Sequence, residues 1–207
     1  MNNKNRIIHF VIFVGILIGY FCLTKFVTYT SAMIYNAMAL FGSDYLLFYD
    51  FDIELFKRGG NVFKAFLKGS AFAFIFAITL FVVVWIFQDD VTLIAIYDDS
   101  FYSFGNLFRF FLMQALVAVS EEAFFRFYLY EFLRLLFKHT LPAVLVVSLI
   151  FAGLHYWAHG IPKQVIVALL FSLYVFYIRS KKGNDSFYTL CFAHFMCNCL
   201  STFVFHF

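Results

Sequence analysis

Long apolar runs, each broken by only a few polar positions, recur along this chain. They fall near residues 7–27, 30–49, 70–87, 105–137, 142–158, 162–178 and 187–205. A bilayer core about 30 Å thick is crossed by about 20 apolar residues in helix, so most of these runs are long enough to span it. The run at 30–49 is the weakest, because Asn36, Gly42, Ser43 and Asp44 interrupt it and its link to the first is short. The run at 105–137 is too long for one crossing, since at 1.5 Å per residue it would extend about 50 Å. It is expected to span once and to continue as an interfacial or bent segment after Arg126. The pattern predicts an all-α, polytopic transmembrane helix bundle of about seven spans. No Pro-rich or Ser-rich linker and no internal repeat divides it, so residues 1–207 read as a single integral membrane domain.

Composition agrees with that reading. Hydrophobic residues make up 64% of the chain and charged residues 13%, with 34 Phe; the mean hydropathy of +0.87 lies far from a soluble globular composition. The net charge of +3 is small and dispersed, with no basic stripe for nucleic acid. The N-terminal run has the length of a full span and no small-residue cleavage site, so it reads as a retained first helix. Basic residues cluster before the first run (Lys4, Arg6), between the second and third (Lys57, Arg58, Lys64, Lys68), after the fourth (Lys138) and after the sixth (Arg179, Lys181, Lys182). With the N-terminus cytoplasmic, seven spans put every basic cluster inside and the Asp-bearing pieces at 88–90 and 97–100 outside. The Asn- and Lys-rich start and the heavy Phe usage point to an AT-rich bacterial coding sequence, hence a bacterial cell membrane. Gly59-Gly60 reads as a turn, Pro142 and Pro162 as first-turn residues, and Asp185-Ser186 as a cap. Cys22, Cys191, Cys197 and Cys199 lie in apolar segments and read as reduced core residues.

Three polar clusters stand out against this background. Glu121, Glu122 and Arg126 lie in the fourth run, His155 in the fifth, and His194 with Asn198 in the seventh. Ionised groups at bilayer depth are costly and need a partner or a function. Arg126 is four residues after Glu122 and shares its helix face. Glu121, about 100° away around the helix, lacks such a partner and is left for chemistry. Each cluster alone is equally compatible with a hydrogen-bonded contact between helices. Together they point to one internal cavity equipped for hydrolysis: a carboxylate to take a proton from water, an imidazole to position that water or pass the proton on, and an amide and a second imidazole to stabilise an oxyanion. Ser120, about 100° from Glu121, reads as a packing residue.

Glu-Glu-x-x-x-Arg (121–126), Phe-x-x-x-His (151–155) and His-x-x-x-Asn (194–198), with Ser148 and Ala193 around them, resemble the CAAX prenyl protease and bacteriocin-processing family, also called the Abi family. The resemblance covers roughly the last hundred residues, so 101–207 would form the catalytic core and 1–100 would supply spans without a motif. It implies an intramembrane endopeptidase acting on a membrane-associated or lipidated protein or peptide. Glu121 would activate water with help from His155, His194 and Asn198 would stabilise the oxyanion, and Glu122 with Arg126 would shape the site or contact substrate. No cofactor is required on this reading. Two rival readings use the same sequence. His155 and His159 are four apart and with His194 could bind zinc, although His159 precedes Gly160-Ile161-Pro162 and so sits at a helix end, where an interfacial role is the simpler account. His9, His139 and His206 read as interfacial in the same way. Alternatively, the chain is a membrane immunity or scaffold protein that cleaves nothing, a reading that gives no reason for the complete polar set.

Overall fold

The computed structural model describes residues 3–24, 29–48, 54–57, 60–87, 103–159, 162–181 and 186–204. Its regular structure is helical throughout: α1 (Asn3–Thr24), α2 (Tyr29–Phe48), the single turn α3 (Glu54–Lys57), α4 (Val62–Phe87), α5 (Phe104–Glu121), α6 (Tyr130–Phe137), α7 (Thr140–His159), α8 (Pro162–Ser180) and α9 (Phe187–Val204). Between α5 and α6 the chain continues without a break as a π-helical segment, Glu122–Leu129. The overlong fourth run is thus three pieces, and the change in winding begins at the paired glutamates rather than after Arg126.

The third run starts earlier than its apolar pattern implies. Asn61 caps α4, its side chain accepting from the Lys64 N–H at 2.9 Å, after Gly60 has turned the chain through a left-handed conformation (φ +77°). Lys64 and Lys68 therefore lie in the first turns of a helix, not in a loop. Within α4, Val62–Val82 is long and apolar enough to cross a membrane, and Ile7–Tyr20, Thr140–Tyr156 and Gln164–Ser180 are shorter apolar stretches. Gly59, the Asp-bearing pieces at 88–90 and 97–100, Arg58, Lys182, Asp185 and His206 lie outside the described residues. Cys191 and Cys199 are buried and Cys197 half-buried; Cys22, expected in the core, is exposed on α1.

The motif-free helices pack directly on those that carry the polar clusters. α4 runs along α9 in the most extensive helix pair among the described residues. Its contact face is a small-residue stripe, Ala65, Gly69 and Ala73, spaced by four and buried throughout. A Cβ built on Gly69 would lie 2.7 Å from the Thr189 carbonyl oxygen and 2.8 Å from the Ala193 nitrogen, so only glycine lets the two backbones approach this closely. α7 and α8 pair through the buried Ser172 hydroxyl donating to Ser148 at 3.0 Å, which explains the serine seven residues before His155. Tyr174 on α8 donates to the Phe72 carbonyl of α4 at 3.0 Å.

α2 owes its interrupted pattern to such contacts. Asn36 meets the Ser120 hydroxyl of α5, and the buried Asp44 side chain accepts from the Leu55 N–H at 2.9 Å, capping α3. The polar residues that weaken this run are points of attachment. Aromatic rings serve similarly. Phe10 of α1 stacks on Phe132 at 3.9 Å, and Phe13 meets Tyr128 edge-on at 5.5 Å. Many phenylalanines are thus internal, while others such as Phe63 and Phe104 face outward.

Candidate active site

The site is assembled from the last residue of α5, the π segment, α7 and α9. Hydrogen bonding from residue i to i+5 widens the helix locally, a feature concentrated at functional positions. Glu122 is the first residue of that segment and Arg126 lies one turn on. Both are fully buried, and Arg126 Nε lies 3.5 Å from Glu122 Oε2, an ion pair at longer than hydrogen-bonding range. None of the three guanidinium nitrogens makes a hydrogen bond among the described residues. Aromatic faces compensate: the guanidinium carbon sits 4.2 Å from the Phe151 ring centroid, with Phe125, Phe171 and Phe176 also around it. A desolvated cation over an aromatic face gains about 2 kcal/mol per favourable contact.

His194 inserts between the two glutamates. Its Nδ1 is 2.7 Å from Glu122 Oε1, and its Nε2 is 3.6 Å from Glu121 Oε2. A carboxylate only accepts, so Nδ1 carries the proton and Nε2 is the nitrogen turned toward Glu121. Two contacts are added to the one that helical spacing supplies. Glu122 serves His194 as well as Arg126, and Glu121 has His194 beside it. The physical reason is that adjacent Cα atoms are only 3.8 Å apart across a trans peptide. Two side chains diverging around a helix can therefore still meet opposite edges of one imidazole. Burial divides them, with Glu122 fully enclosed and the Glu121 side chain 26% exposed.

His155 is held by its own helix, Nδ1 lying 2.9 Å from the Phe151 carbonyl. A carbonyl also only accepts, so this bond places the proton on Nδ1 and the lone pair on Nε2. Asn198 is half-buried and one turn along α9 from His194. The His159 side chain lies outside the described residues, and among those described no three His, Cys, Asp or Glu side chains cluster to hold a metal. His9 and His139 are exposed.

Phe151 is the residue whose part the sequence left unseen. Its buried ring lies 4.5 Å from the His155 ring, 6.0 Å from the His194 ring and under the Arg126 guanidinium, so it touches all three polar clusters. The signal was present as the first letter of Phe-x-x-x-His, but an apolar residue in an apolar helix carries no contrast. Ser120, read from the sequence as a packing residue, is buried and hydrogen-bonds to Asn36 and to the Val117 carbonyl, which fastens α5 to α2.

Residues 103–200 match the family model described as Rce1-like, type II CAAX prenyl endopeptidase Rce1-like. This part of the chain is similar to that family. The matched stretch begins at Ser103, whose side chain caps α5, and ends in α9, so it contains every residue of the three clusters. No curated protein and no solved structure matches the chain. The Rce1-like family is membrane-embedded and its members are peptidases, in keeping with the apolar helices described above.

Proposed function

We propose that this protein is an intramembrane endopeptidase that hydrolyses a peptide bond of a membrane-associated or lipidated substrate with a glutamate-activated water. The observation that carries the proposal is a single imidazole, His194, set between a buried and a half-buried carboxylate. Glu121 Oε2 and His194 Nε2 are two acceptors 3.6 Å apart, a spacing that one bridging water can satisfy by donating to both. Attack by that water on the scissile carbonyl forms the C–O bond and moves the π pair onto oxygen, while the water's proton goes to Glu121 and on to His194 Nε2. Carrying that proton, Nε2 donates to the oxyanion, and Asn198 lies one turn away on the same face as a second donor. Collapse breaks the C–N bond, and the leaving amine takes the proton. Glu122 holds His194 in the required tautomer, as a buried carboxylate does in an acid–histidine pair. His155 assists Glu121 in this reading, its Nε2 an alternative acceptor for one of the two protons the water donates. Arg126 balances the buried charge. In this reading the chain forms about seven spans with a cytoplasmic N-terminus in a bacterial membrane.

Wild type and Glu121→Gln, purified side by side, test the proposal on a panel of membrane peptides with and without a prenylated cysteine, with metal content measured on the same samples. Cleavage by wild type and none by a folded Glu121→Gln is expected. Stoichiometric zinc, with activity lost on chelation and in His159→Ala, would replace the glutamate mechanism by a metal-dependent one. A Glu121→Gln variant that cleaves as wild type does would remove Glu121 from the chemistry.

A further inference from the structure

We infer that Arg179, on α8 and outside the three motifs, is a positioning residue that clamps the π segment in the register the site requires. The inference rests on the peptidase reading for its catalytic consequence, though not for the clamp itself. Where a π-helix returns to α, the backbone hydrogen-bond ladder skips a carbonyl. Here the Tyr130 N–H reaches back to the carbonyls of Phe125 and Phe127 and passes over that of Arg126. That carbonyl accepts instead from Arg179 Nη1. The other arm of the same guanidinium, Nη2, donates to Glu131 Oε1 at 3.1 Å, and its carbon lies 4.6 Å from both the Phe127 and the Tyr130 ring centroids. One planar fork therefore holds the skipped carbonyl, a carboxylate in the first turn of α6 and two rings on either side of the transition. The Arg179 side chain is only 17% exposed, so these bonds are largely shielded from competing water.

Without the clamp, the strand of backbone can recover its bond by tightening to ordinary i→i+4 pairing. A register step of one residue turns side chains by about 100° around the axis. Glu121 and Glu122 lie at the other end of the segment and would turn away from His194. Lysine keeps the charge but presents one ammonium in place of the fork, and cannot hold the carbonyl and Glu131 in the same geometry.

The test uses full-length protein selectively labelled with 15N-histidine and follows the Nδ1 proton of His194, which its bond to Glu122 moves downfield and which is assigned by its loss in His194→Gln. Arg179→Ala is expected to shift or abolish this resonance and to lower kcat by about 10²-fold with KM little changed. Arg179→Lys is expected to recover only part of both. Should Arg179→Ala fail to fold, Arg179→Lys and Glu131→Gln carry the same readouts. Folded variants that leave the resonance in place would overturn the clamp, as would a kcat per folded molecule equal to wild type in an active preparation. A resonance that moves in a protein that cleaves nothing would uphold the clamp and count against the peptidase reading instead.

Discussion

Gly69→Ala tests whether a helix without any motif sets the geometry of the site. The added Cβ would lie 2.7 Å from the Thr189 carbonyl oxygen and from Phe192 Cβ, whereas ordinary contact begins at 3.4 Å. The α4 and α9 backbones must therefore separate by about 0.7 Å, because two of the three nearest atoms are main chain and have no rotamer to change. His194 follows Ala193 directly on the displaced face. A shift of that size along the line to Glu122 stretches the 2.7 Å Nδ1–Oε1 bond to about 3.4 Å, beyond hydrogen-bonding range. Overpacking costs about 1–3 kcal/mol, and the higher helix propensity of Ala offsets up to about 1 kcal/mol of it. The net loss of stability is thus small, about 0–2 kcal/mol by the same figures, while a misplacement approaching 1 Å in a reacting constellation lowers turnover by about 10- to 10²-fold. The assay pairs thermal unfolding in detergent with kcat on a cleaved membrane peptide. Gly15→Ala is the control: nothing lies within 4 Å of its Cβ, so neither quantity should fall. Gly69→Ala with wild-type turnover and wild-type stability would show that α4 does not hold His194 in place.

Two further outcomes follow from the buried cluster. Glu122→Gln leaves Arg126 without its counter-charge in a fully buried position and should destabilise the protein by about 3–5 kcal/mol; a melting temperature equal to wild type would mean that the aromatic faces alone hold the guanidinium. Phe151→Leu keeps an apolar side chain but removes the face beneath Arg126, a loss of up to about 2 kcal/mol beyond the change in volume. It should also loosen both imidazoles, so turnover is expected to fall together with stability, and unchanged turnover would separate the ring from the site.

The polar residues of the site stood out in the sequence because an apolar helix offers contrast: each charged or amide group at bilayer depth has to be accounted for. The pairing of Glu122 with Arg126 followed from helical spacing alone, and four-residue spacing survives the local change to π winding well enough to keep the ion pair. The same spacing rule left Glu121 without an intrahelical partner, but it describes directions around one helix and could not say which ring would arrive from another. His194 joins the two carboxylates only once α9 has docked.

The helical class, the approximate positions of the long helices and the identity of the chemically capable residues are properties of composition and periodicity, local enough to be read along the chain. Which of those residues meet is not local. It depends on Gly69 admitting α9 against α4, on Asn36 and Asp44 fastening α2, and on Arg179 donating from α8 to the Arg126 carbonyl. Each of these is a contact between segments distant in sequence. In an apolar chain a small or aromatic residue that makes such a contact looks the same as one that faces lipid, so only the packed structure tells them apart.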